Sequence, residues 1–190
     1  MRALFVLKND AIVIIREATT QDALELNAVI GKIYGASNTV LTSLQEFQSM
    51  DSLNGQLQRI YYYQNTATYL LLVAEIDGQI VGTLDFSNGN RQRNAHTGDF
   101  RMGVDPAFQN LGIGRYMIKV MLDWATQNPI IEKVKLTAFA NNYNGLHLYK
   151  SLGFEEEGRG IQEIKMEEDV YLDVINMYKY VRSNTQEIPH

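Results

Sequence analysis

The chain has no cysteine and only three prolines in 190 residues. The missing cysteines exclude disulfides and, with no secretory signal in view, fit a cytoplasmic protein. Few prolines, and no Pro/Gly/Ser-rich stretch, leave no linker to divide the chain, so one domain is expected. Long apolar runs are also lacking: Ile12 to Ile15 and Tyr69 to Ala74 fall far short of the roughly 18 residues that a membrane helix requires. No membrane partner is expected. Met1 to Leu7 is too short and too poorly flanked for a signal peptide. There is no excess of basic residues either, and a net charge of −5 argues against nucleic acid as a main partner. The histidines stand at positions 96, 147 and 190 with no ligand-spaced carboxylates around them, so no metal site is expected. No internal repeat is visible.

What the chain does have is a hydrophobic content of 45%, enough to bury a sizeable core. Met1 to Leu7, Lys8-Asn9-Asp10 and Ala11 to Ile15 read as strand, turn and strand, with residues 1–11 an N-terminal extension. Thr19 to Asp22 can cap a helix to about Tyr34. Leu41, Leu44, Phe47, Leu53, Leu57 and Ile60 suggest a second helix with a weak point at Asn54-Gly55. Strands follow at Tyr69 to Ile76 and Ile80 to Phe86, joined by the hairpin signal Asp77-Gly78, and a polar loop covers Ser87 to Asn94. Phe154 to Met166 and Val170 to Val181 read as a closing strand pair, and residues 183–190 as a flexible tail.

The most informative segment is Gln109-Asn110-Leu111-Gly112-Ile113-Gly114. It comes after a strand-like stretch, Asp99 to Val104, and before an amphipathic helix marked by Ile113, Met117, Val120, Met121 and Trp124. A helix N-terminus offers unsatisfied N–H groups and the positive end of the dipole, and glycines remove the Cβ atoms that would keep a phosphate away. The segment is therefore read as an anion cradle, with a pyrophosphate as its occupant. Arg115 and Tyr116 follow Gly114 where a Walker loop has Lys-Ser/Thr, and the third glycine of a dinucleotide fingerprint is replaced by Met117. Taken alone, Gly-x-Gly before a helix is equally an ordinary strand-to-helix turn.

Beyond the helix, a lysine-interleaved strand runs from Lys133 to Ala140, followed by Asn142, Gly145, Leu148, Tyr149, Gly153 and Phe154. The order Gln-x-x-Gly-x-Gly, strand, Asn-x-x-(Ala/Gly)-x-x-Leu-Tyr-x-x-x-Gly-Phe resembles the GNAT superfamily of acyl-CoA-dependent N-acetyltransferases, most tightly from Phe100 to Phe154. The resemblance implies an α/β fold: a mixed, mostly antiparallel central sheet flanked by helices, with a splayed strand pair that holds acyl-CoA. It implies one N-acetyltransferase domain over residues 1–182, and acetyl-CoA as co-substrate without a metal. Met102, Gly103 and Val104 would bind pantetheine and the acetyl oxygen, the latter through the Val104 N–H. Gln109, Asn110, Leu111, Gly112, Ile113 and Gly114 would hold the pyrophosphate, with Arg115 approaching CoA phosphates. Asn142 would bind the pantetheine arm as well as cap its helix. Tyr149 would protonate the leaving sulfur, the alternative being a packed aromatic whose hydroxyl is satisfied by backbone.

The general base is not evident. Some members of the superfamily carry a glutamate five positions ahead of the asparagine, where this chain has Thr137; others use a carboxylate on the preceding strand, where it offers His96, Gly98 and Asp99. His96 and Asp99 are the candidates, with a water chain or substrate deprotonation as the alternative. His147 is read as surface. The acidic balance favours a cationic acceptor, and the reaction expected is acetyl transfer to a primary amine, whether a small amine, a polyamine or a protein N-terminus. A non-catalytic CoA-binding sensor of the same fold is the alternative, and a homodimer is compatible with the sequence. Tyr61-Tyr62-Tyr63 is read as alternating burial against the sheet, with an acceptor pocket or a dimer contact as the other options.

Overall fold

A computed structural model describes residues 1–36, 41–50 and 52–182; the expected tail, 183–190, lies outside the described residues. The strands are β1 (Arg2–Val6), β2 (Ile12–Glu17), β3 (Leu70–Ile76), β4 (Gln79–Asn88), β5 (Thr97–Val104), β6 (Lys133–Phe139), β7 (Glu155–Glu167) and β8 (Val170–Tyr180). The helices are α1 (Ala23–Ala36), α2 (Leu44–Met50), α3 (Leu53–Gln64), α4 (Ile113–Gln127) and α5 (Tyr143–Ser151). Hydrogen-bonded neighbours run β1-β2-β3-β4-β5-β6-β8-β7 in an eight-stranded sheet. Of the registered pairs only β5 with β6 is parallel, so the sheet is mixed and mostly antiparallel, as expected. The chain divides into two compact units, Met1–Ser87 with Arg101–Met121, and Asn88–Phe100 with the chain from Leu122 onward.

In the first unit, β1 and β2 form a hairpin from Arg2↔Arg16 to Val6↔Ile12. β3 and β4 form another, with Asp77 (φ 50°) and Gly78 (φ 81°) both left-handed, the signature of a tight hairpin turn. Alternation along β2 buries Val13 and Ile15, while β3 is buried almost throughout, and Leu26, Ile30 and Ile33 of α1 and Ile60 of α3 complete a core with Leu71 and Val73. A fully buried side chain of this size contributes about 1.5–3 kcal/mol.

Two helices replace the single one expected over Leu41 to Ile60, and the break falls before Leu53 instead of at Asn54-Gly55. Side-chain caps decide this. Ser43 and Glu46 form a reciprocal box at the start of α2, Ser43 Oγ accepting from the Glu46 N–H at 3.1 Å and Glu46 Oε2 from the Ser43 N–H at 2.8 Å. Ser52 Oγ then accepts from the Gly55 N–H at 3.0 Å and opens α3, so Gly55 lies in a first turn, where its low helix propensity costs least. Tyr61, Tyr62 and Tyr63 consequently sit on a helix; Tyr61 and Tyr62 are exposed, and only Tyr63 turns inward, onto the core that includes Leu71, Val73 and Ile80.

In the second unit β6 pairs with β8 along its whole length and β8 with β7. Ile131, Val134, Phe154 and Met177 are buried there. The parallel register of β5 on β6 runs only from Thr97↔Lys133 to Asp99↔Lys135, although β5 continues to Val104 and β6 to Phe139.

Candidate active site

The first unit holds the strand end and the glycine segment. Met102, Gly103 and Val104 are half-buried. A Cβ on Gly103 would stand 2.8 Å from Ile33 Cγ2, so α1 leaves room for glycine alone at that point. Val104 offers its carbonyl to Gln109 Nε2 at 3.1 Å, which ties the strand end to the start of the cradle. Buried Asp105 fixes the turn between them: its carboxylate accepts from the Ala107 N–H at 3.0 Å and from Lys32 at 3.1 Å. The chain then passes through Asn110 at φ 63° and Gly112 at φ 100° into α4, anchored by the buried side chain of Ile113. Gln109 and Asn110 are exposed, and Leu111, Gly112, Gly114 and Arg115 half-buried. This is a built turn ending on a helix N-terminus, with glycine at a conformation that L side chains rarely adopt.

One neighbour of this turn was not legible in the sequence. The loop after β1 closes on it, the Lys8 N–H donating to the Leu111 carbonyl at 3.4 Å. Tyr116, in the first turn of α4, stacks on Phe5 at 4.2 Å and donates from its hydroxyl to the Val6 carbonyl at 3.2 Å. The N-terminal hairpin therefore braces the helix that presents the cradle.

The second unit holds Asn142, Tyr149, His96 and Asp99. Asn142 caps α5, its Oδ1 accepting from the Gly145 N–H at 3.0 Å, and so fills the structural half of its expected role. Tyr149 packs edge-on against Phe100 (6.0 Å) and Phe154 (6.2 Å). Among the described residues no hydrogen-bond partner meets its hydroxyl. Burial raises its pKa above the ordinary phenol value, and the group stays protonated at neutral pH.

His147 is exposed, as read. His96 is half-buried and contributes its carbonyl, which accepts from the Glu132 and Lys133 N–H groups at 2.8 and 3.1 Å. Asp99 is exposed and paired with Lys135 at 3.3 Å. Thr137 donates from its hydroxyl to Asn176 Oδ1 at 2.8 Å. Asp99, Lys135, Thr137, Glu157 and Asn176 line a polar cavity of about 300 Å³. Among the described residues no grouping of three or more His, Asp or Glu could hold a metal ion, and no helix is long and apolar enough to cross a membrane.

A cluster that the sequence reading missed lies in the first unit. Asp85, buried on β4, accepts from Tyr63 Oη at 3.1 Å and from Arg101 at 2.9 Å, and Arg59 approaches its other oxygen at 3.1 Å. Burial, and then the Asp85 charge, push the Tyr63 pKa up to about 12. The available signal was an aspartate set between Leu84 and Phe86 in a strand segment whose neighbours are buried.

Comparison with known proteins bears on family and fold. The acetyltransferase (GNAT) family model matches residues 39–154. The chain is 32% identical over 106 residues to the L-amino acid N-acetyltransferase AaaT of Escherichia coli, a stretch covering 56% of this chain and 65% of that protein. It is 34% identical over 89 residues to the N-alpha-acetyltransferase RimI of Mycobacterium tuberculosis, covering 45% of this chain and 51% of that one. The matched stretches thus span less than two thirds of either relative. Among solved structures, a GNAT-family acetyltransferase of Streptococcus pneumoniae superposes with a TM-score of 0.84 at 24% identity, over 88% of this chain and 99% of that one. The Salmonella typhimurium protein yncA, solved with its cofactor acetyl-CoA, superposes with a TM-score of 0.80 at 19% identity, over 92% and 96%. Likeness at this identity speaks for the fold, and the family model covers more than half of the chain. The chain belongs to the GNAT acetyltransferase family.

Proposed function

We propose that this protein transfers an acetyl group from acetyl-CoA to a primary amine, and that one domain over residues 1–182 does so. The observation that carries the reading is the turn from β5 into α4, where Gly112 at φ 100° delivers the chain to a helix N-terminus. That construction, a left-handed glycine leading into free helix N–H groups, suits a pyrophosphate. The relatives support an amine acceptor by their names: an L-amino acid N-acetyltransferase, an N-alpha-acetyltransferase and, at 25% identity, a spermidine N(1)-acetyltransferase.

Acetyl-CoA supplies the acetyl group already activated as a thioester. In the transfer a C–N bond forms and the C–S bond breaks, one proton leaves the nitrogen and one reaches the sulfur, giving an acetamide and the CoA thiol. Gln109 to Gly114 hold the pyrophosphate, with Arg115 beside them, and Asn142 the pantetheine arm through the amide nitrogen that its cap leaves over. Met102 to Val104 receive the acetyl end, the Val104 N–H donating to the carbonyl oxygen as charge develops there. Tyr149 donates to the sulfur; its unpartnered hydroxyl and raised pKa keep that proton available through neutral pH. A thiol, with an ordinary pKa of about 8.5, is more acidic than this phenol, so Tyr149 stabilises the departing sulfur chiefly by hydrogen bonding and transfers its proton late.

No carboxylate stands at Thr137, and Asp99 is neutralised by Lys135. The amine therefore enters largely by losing its own proton to water, with His96 and Asp99 as lesser bases. Thiol release from acetyl-CoA with a panel of primary amines tests the proposal. Amine-dependent release supports it; stable CoA binding without release by any amine overturns it in favour of a CoA-binding sensor.

A further inference from the structure

We infer that the acceptor carries a carboxylate close to its amine, as an α-amino acid does, and that Arg59 and Arg101 bind it; this rests on the transferase reading above. In the first unit Arg16 is shared by two carboxylates, those of Asp22 and Glu75, and Lys32 pairs one to one with Asp105. Asp85 inverts this pattern: one buried carboxylate faces two guanidinium groups and a phenol that keeps its proton. The cluster therefore carries a surplus positive charge in a chain whose net charge is −5.

The surplus also has free donors. Arg101 spends Nε and Nη2 on Asp85 Oδ2 and has no other hydrogen bond among the described residues, while its side chain is 77% exposed. Arg59 meets Asp85 Oδ1 through Nη2 at 3.1 Å and lies 5.7 Å from the Tyr63 ring centroid, which leaves Nε and Nη1 without a hydrogen bond among the described residues. Gln56, 4% exposed, leaves Nε2 without a partner, and its i, i+3, i+7 spacing puts it on the face of α3 that carries Arg59 and Tyr63. Two guanidinium groups that each keep N–H groups beyond those given to Asp85 match a planar carboxylate, and the unpartnered Gln56 amide lies on the same face of α3 as Arg59.

Position sets the length of the acceptor. Arg101 precedes Met102 directly and, on the alternation of a strand, shares a face with Gly103, which abuts Ile33 of α1. A strand rises about 3.3 Å per residue, so a carboxylate held at Arg101 leaves only a few ångströms to an amine presented at Met102 to Val104. An α-amine fits that reach, whereas a polyamine has no group for the two arginines and would meet like charge.

The test compares thiol release for L-phenylalanine, L-phenylalaninamide and phenethylamine, repeated with other amino-acid sets, in the wild type and in Arg59→Gln and Arg101→Gln. The expected result is a kcat/KM for the free acid about 10²-fold above that for the amide and the decarboxylated amine. Arg59→Gln, which leaves Asp85 paired with Arg101, should collapse that preference to near unity with acetyl-CoA affinity unchanged. Equal turnover of acid and amide, or equal loss for all three substrates in both variants, overturns the inference while leaving the transferase reading intact. Absence of thiol release with every amine removes that reading instead. Calorimetric binding of the free acid but not the amide to the CoA-loaded protein supports the carboxylate site independently of turnover, and equal binding of the two overturns it.

Discussion

In the proposed reaction Tyr149 serves packing and chemistry from one position. Its ring sits against Phe100 and Phe154, and that burial raises the pKa of a hydroxyl that no described residue satisfies. Tyr149→Phe keeps the ring and removes the proton, so turnover should fall by roughly 10² to 10⁴ while acetyl-CoA affinity changes little. Calorimetric binding and steady-state thiol release measure the two halves, and near-normal turnover would return Tyr149 to packing alone. The pH dependence follows from the sign of the shift. The acid form is the active one and its pKa lies above the ordinary phenol value, so Tyr149 imposes no alkaline loss between pH 6 and 9. The rate should rise through that range as the amine deprotonates, and His96→Ala should leave this profile unmoved. Tyr149 was legible because its motif packs the informative positions into a short stretch of chain. The cluster around Asp85 was not, because its members stand at positions 59, 63, 85 and 101 and meet only in the folded unit.

At the scale of elements, local chemistry set the boundaries. The β5-to-α4 turn was readable because two glycines, a following amphipathic period and a preceding strand all concern adjacent residues. The split between α2 and α3 was misplaced because a glycine in a helical pattern looks like a breaker, whereas the stronger signal was Ser52, three residues earlier. Ser52→Ala should lower stability by about 1 kcal/mol, read as a shifted urea midpoint at constant slope. It should also weaken acceptor binding more than CoA binding, since α3 carries Arg59 and Tyr63. Gly112→Val tests the other element: at φ 100° a branched side chain costs about 1–2 kcal/mol of strain and obstructs the N–H groups of α4. CoA affinity should drop at least about tenfold in a protein whose circular dichroism is retained. Unchanged affinity would remove the cradle from the argument.

For the molecule as a whole, a net charge of −5 is a sum and does not locate charge, and the arginines near β5 form a local excess within it. Charge does govern the response to acid, through Asp22. Its carboxylate, on the turn entering α1, accepts from Arg16 at 2.8 Å and from the Thr19 N–H at 2.6 Å, and Arg16 also reaches Glu75 on β3 at 2.8 Å. Three elements of the first unit thus meet at one guanidinium. Burial alone would raise the Asp22 pKa and is the largest single influence, but the hydrogen bonds from Arg16 and Thr19 together outweigh it, and the folded-state pKa lies below the ordinary carboxylate value. A depressed pKa means that the unfolded chain binds the proton first. The stabilisation is therefore complete above the unfolded value of about 3.9 and is lost as pH falls through the folded one. Asp22→Asn should cost about 2 kcal/mol at neutral pH, since it removes a charged partner from a half-buried pair, and lower the melting temperature by roughly 4–8 °C. The decisive feature is the pH dependence of that difference: the gap between wild type and variant should persist from pH 8 to 5 and close below pH 4. A gap that stays constant down to pH 3 would mean that Asp22 acts through shape and neutral hydrogen bonding instead of charge.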